Sequence, residues 1–86
     1  MQVTFLGYSD LDFETKEGQH IDGIKVFWYF ISDTRNYTGY EVGSYFIPRS
    51  RSDLINQVRS LQPLSECLLD MGFNGKRAVF NGITAI

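Results

Sequence analysis

Lys25, Phe27 and Tyr29 stand at every second position of one segment, so an extended backbone puts a cation and two rings on the same side. Tyr45, Arg49 and Arg51 offer the same mixture further along, with Tyr45 sharing a parity with Ile47 and Arg49. Rings beside cations hold flat partners with an anionic edge, because each ring stacks and each cation neutralises. If the two segments are neighbouring strands, these six residues form one platform edged with positive charge.

Other chemistries have little to stand on. The chain has no glycine-rich phosphate loop, no Gly-x-Ser-x-Gly and no pair of histidines at ligand spacing. Its one cysteine, Cys67, excludes an internal disulfide, and one Cys with one His leaves no zinc-ligand set. Cys67 reads as a small core residue and His20 as an exposed strand residue. Asp10, Asp12 and Glu14 share a strand face, which reads as a solubilising surface and not a metal site. Neither a catalyst nor a cofactor is expected.

The platform needs strands to carry it. Ile24-Lys25-Val26-Phe27-Trp28-Tyr29-Phe30-Ile31 is an unbroken run of bulky residues, four of them consecutive aromatics, and such residues suit a pleated surface. Ile24, Val26, Trp28 and Phe30 form the expected core face. Lys25, Phe27, Tyr29 and Ile31 form the other, which a helix, a partner or a ligand must cover. A first strand runs through Val3-Thr4-Phe5-Leu6-Gly7-Tyr8, with a bulge expected where the apolar phase slips at Leu6-Gly7. Its continuation to Glu14 reads with Leu11 and Phe13 inward and the acids outward. Strand two spans about Gln19 to Ile31, and strand three Tyr37 to Ile47, stopped by Pro48.

A helix follows. Ser50 with Asp53 resembles a capping box, and Leu54, Ile55, Val58 and Leu61 make one apolar stripe ending before Pro63. Residues 66–73 read as a strand at period two. At period 3.6, Leu64, Cys67, Leu68 and Met71 would make a helical stripe instead. Asn74-Gly75 favours the strand, since it signals a hairpin into a last strand over Lys76 to Ile83. The expected fold is therefore one domain over residues 1–86, mainly β with one helix (α+β), in the order β-β-β-α-β-β. That is the element order of a small five-stranded OB-like barrel, and a strongly curved antiparallel sheet uses the same elements.

Charge works against a simple anion binder. The net charge is −2, and residues 1–23 hold Asp10, Asp12, Glu14, Glu17 and Asp22 against Lys16 alone. The remainder holds seven cations against five acids, which permits a basic groove beside an acidic flank. No apolar run reaches the roughly 18 residues that span a bilayer, and no basic-then-apolar leader is visible. A cytoplasmic protein without membrane contact is the expectation.

The opening Val3-Thr4-Phe5-Leu6-Gly7-Tyr8, then Leu11-Asp12-Phe13-Glu14-Thr15-Lys16-Glu17-Gly18 and Ile21-Asp22-Gly23-Ile24-Lys25-Val26-Phe27, resembles small proteins carried by phages and mobile elements of Gram-positive bacteria. The resemblance covers the first half of the chain and the terminal hairpin. It implies an OB-like dimer that binds single-stranded DNA. It transfers no individual binding residues, and the acidic balance departs from what such a binder favours.

Three roles follow for a non-catalytic protein of this kind. The first is single-stranded nucleic-acid binding through Lys25, Phe27, Tyr29, Tyr45, Arg49 and Arg51, where three stacks of about 1–3 kcal/mol each plus phosphate contacts reach roughly micromolar affinity. The second is inhibition of a host protein, for instance a defence nuclease, through the acidic N-terminal half. The third is a homodimer whose aromatic face is the subunit interface, which is compatible with the first.

Overall fold

Every expected element forms, and residues 66–73 are strand, as Asn74-Gly75 favours, and not the alternative helix. The computed structural model describes residues 1–86 and contains β1 (Gln2–Glu14), β2 (His20–Thr34), β3 (Tyr37–Pro48), α1 (Ser52–Arg59), β4 (Glu66–Asn74) and β5 (Arg77–Ala85). The strands make one antiparallel sheet in the order β3-β2-β1-β4-β5. The sheet is open: β3 and β5 are its edges, and no ladder joins them. Gly75, at a φ of 68°, occupies the first position of the two-residue loop that returns β4 into β5, a conformation for which glycine has no steric penalty.

β2 divides as its parity requires. Ile24, Val26 and Trp28 are buried, Phe30 packs against them, and Lys25, Phe27 and Tyr29 are half-buried on the opposite face. The core collects Val3 and Phe5 from β1, Ile47 from β3, Leu54, Ile55 and Val58 from α1, Cys67 and Leu69 from β4, and Phe80 and Ile83 from β5. The Tyr45 ring of β3 stacks on Phe80 of β5 with centroids 5.6 Å apart, and Trp28 lies 6.3 Å from Phe80. The two edges of the sheet thus meet through side chains on its inner side.

A bulge in β1 sets which residues face inward. The register with β2 shifts between Phe5 and Gly7, where the slipping apolar phase placed it. Before the bulge the odd residues Val3 and Phe5 are buried. Beyond it the even residues take the inner side, Tyr8 opposite Val26 and Asp10 opposite Ile24. One added residue exchanges the faces of everything that follows. The expected inward placement of Leu11 and Phe13 is therefore corrected. They lie on the outer face, with Phe13 exposed, while Asp10 and Asp12 continue the core side.

α1 closes the inner side. Burying Leu54, Ile55 and Val58 removes three branched side chains from water, each worth about 1.5–3 kcal/mol. The Gln57 amide adds a polar tie by accepting the backbone N–H of Ile83 in β5 at 3.3 Å. The capping box does not form: Arg51 occupies the N-cap position and no side chain caps the helix. The helix also ends two residues short of Leu61, which still packs against the core.

Trp28 fits because its cross-strand neighbour is Gly43, and a Cβ at that position would overlap the indole ring. Gly43→Ala should cost about 1–3 kcal/mol through overpacking. Urea unfolding followed by far-ultraviolet circular dichroism checks this, and an unchanged midpoint would contradict it.

Candidate ligand-binding face

The outer face of β3, β2 and β1 is the feature that the core leaves uncovered. Cross-strand pairing places Tyr40 beside Ile31, Val42 beside Tyr29, Ser44 beside Phe27 and Phe46 beside Lys25, all on the side away from α1. Ile31 is 75% exposed, Val42 68% and Tyr40 64%. Leu6, extruded by the bulge, joins this surface and lines a shallow depression with Tyr29, Tyr40 and Val42. Tyr29 and Tyr40 meet edge to face with centroids 5.3 Å apart and stand as a ridge. On its other side lies a second depression of about 350 Å³, to which Gln2, Thr4 and Glu66 contribute polar groups.

Lys25 and Phe27 are coupled on this face, with the ammonium over the Phe27 ring at 5.5 Å from its centroid. A cation held on an aromatic face keeps most of its hydration and can swing to an arriving anion, leaving the ring free to stack. Lys25, Phe27 and Tyr29 are therefore brought together as expected.

Tyr45, Arg49 and Arg51 are not. Tyr45 sits opposite Val26 and stacks on Phe80, so it belongs to the core side. Parity within β3 was read correctly, but the β2–β3 register, invisible in either segment alone, pairs Tyr45 with the inner face of β2. The rings that β3 does present outward are Tyr40 and Phe46, neither of them among the six residues of the expected platform. An offset of one in the pairing is all that separates the two sets.

The arginines are engaged elsewhere. Arg49 Nε donates to Asp22 at 3.1 Å, and its Nη2 reaches the Gly23 carbonyl at 3.2 Å and lies 3.5 Å from Asp10. Arg59 from α1 meets the same Asp10 at 3.2 Å. The Asp22 hydrogen bond, then the charges of Asp22 and Asp10, raise the Arg49 pKa further. Arg51 chelates Asp53 with two contacts of 3.3 Å, and that hydrogen bond raises the pKa of Arg51. In return it holds the Asp53 carboxyl below its ordinary value, helped by the backbone N–H of Leu54. His20 meets Asp12 at 2.8 Å. The acidic flank and the arginines thus neutralise one another on the inner side, and the expected basic groove does not form there.

No cluster of three or more His, Cys, Asp or Glu is placed to hold a metal ion. No helix is long and apolar enough to cross a membrane. No protein-family model, curated protein or solved structure matches this chain.

The ion pairs make a pH prediction. Asp53 has a lowered folded-state pKa, so its pairing stabilises above the ordinary carboxylate pKa and is lost as pH falls through the folded value. Thermal unfolding of Arg51→Ala should therefore lie slightly below the parent at neutral pH and converge with it in acid. A gap that widens below pH 4 would contradict this.

Proposed function

We propose that the chain is a small non-catalytic binding protein for single-stranded nucleic acid, using the outer face of β2 and β3. The observation that carries this reading is the row of Phe27, Tyr29, Tyr40 and Phe46, half-buried except for the exposed Tyr40, on a face that no other element covers, with Lys25 as the one cation among them. Bases stack on rings whatever their sequence, at about 1–3 kcal/mol each. A curled, OB-like arrangement belongs to the same reading, supported by the Tyr45–Phe80 stack between the edge strands and by a helix placed between β3 and β4. In that architecture the face of strands two and three is the usual seat of an oligonucleotide.

The distribution of charge refines the mechanism. With Arg49, Arg51 and Arg59 engaged by carboxylates, stacking supplies most of the affinity and phosphate neutralisation little. Inhibition of a host protein through the acidic half has less support, because Asp10, Asp12 and Asp22 are paired within the chain. Pairing of two copies through the aromatic face would compete with the ligand for the same rings.

Titration with an oligothymidylate at low salt should quench tyrosine emission. The logarithm of the binding constant should fall against the logarithm of salt with a slope of only about −0.7 to −1.4, that of one or two phosphate contacts. Tyr29→Ala should weaken binding by about 1–3 kcal/mol, the worth of one stack, and Arg51→Ala should leave it unchanged. Unaltered emission and no shift in electrophoretic mobility at low salt would overturn the proposal.

A further inference from the structure

The two depressions flanking the Tyr29–Tyr40 ridge differ in chemistry, and the difference carries a prediction about sequence preference. Thr4 pairs with Tyr29 on one side and with Glu66 on the other, so the three side chains form one row across β2, β1 and β4. All three, with Gln2, line the depression of about 350 Å³. The depression on the far side of the ridge is lined by Leu6, Val42 and the two tyrosines, with no amide or carboxylate.

Resting on the nucleic-acid reading above, we infer that the depression at Gln2, Thr4 and Glu66 is a base-reading subsite with a preference for guanine. A base stacked on Tyr29 turns its edge toward Thr4 and Glu66. The Glu66 carboxylate has neither an ion pair nor a side-chain hydrogen bond within the chain, so both its oxygens are available. An ionised carboxylate only accepts hydrogen bonds, and it repels a phosphate. What it admits is a base edge rich in donors. Guanine alone presents two adjacent donors, N1–H and the N2 amino group, that match two carboxylate oxygens. Thymine and uracil present a single N–H between two carbonyls, which the carboxylate opposes. Gln2 and Thr4 carry both donors and acceptors and can satisfy the guanine O6. The apolar depression beyond the ridge takes whichever base comes next, by contact alone.

The test compares an oligothymidylate with the same strand carrying one central deoxyguanosine, each titrated against the whole chain and against Glu66→Gln. The guanosine should tighten binding to the parent about tenfold, the scale of one bidentate base contact. Replacing it with deoxyinosine, which lacks the N2 amino group, should remove most of that gain. Glu66→Gln should bind both strands within about twofold of each other and hold the oligothymidylate at least as tightly as the parent does, which shows that the face is intact. Equal binding of the two strands by the parent overturns the subsite and leaves the stacking face standing. A preference that survives Glu66→Gln overturns the role of Glu66, and failure of either strand to bind overturns both proposals together.

Discussion

The one-residue shift in β1 at Phe5–Gly7 is the constraint on which the two sides of the sheet depend. β1 is the central strand, paired with β2 over most of its length and with β4 at its start. Before the bulge it contributes Val3 and Phe5 to the core; after it, the same strand turns carboxylates toward the inner side and Leu11 and Phe13 outward. A regular strand would have kept one parity throughout. It would have buried Leu11 and left Asp10 pointing away from Arg49 and Arg59.

That exchange determines where charge and rings end up. Asp10, Asp12 and Asp22 meet Arg49, Arg59 and His20 at the margin of the core, so opposite charges meet at short range and leave a weak external field. The outer face keeps its rings, with only a few scattered charges such as Lys25 and Glu66. Its physics is that of contact and desolvation, and any partner it holds is selected by shape and flatness before charge. Lys25, resting on Phe27, is the cation that stands among the rings.

Much of this was legible in the chain itself. The β2 run announced its two faces through parity, the slip at Leu6-Gly7 announced the bulge, and Asn74-Gly75 correctly favoured a hairpin over a helix across residues 66–73. Pairing register was not legible, because it depends on atoms in two segments at once. Hence the sequence alone groups Tyr45 with the outer platform and gives no sign that Tyr40 and Phe46 belong there instead. The bulge was foreseen without its consequence, the inversion of Leu11 and Phe13. Ion pairing escaped for a related reason: Asp10 and Arg59 are far apart in sequence and meet only when α1 is laid along the sheet. The Ser50–Asp53 spacing was a local cue that lost to Arg51, which occupies the cap position and binds Asp53 from the front of the helix.

The placement of the lone indole has a spectroscopic consequence. Trp28 is wedged against Gly43 inside the molecule, whereas Tyr29, next to it in the chain, faces out beside Tyr40. Consecutive chromophores thus look into opposite environments through a single layer of backbone. Selective excitation at the red edge of absorbance samples the indole in the interior, and shorter wavelengths add the phenols, Tyr29 and Tyr40 outside together with Tyr8 and Tyr45 on the inner side. The indole signal alone therefore reports packing around Trp28, without a label being attached.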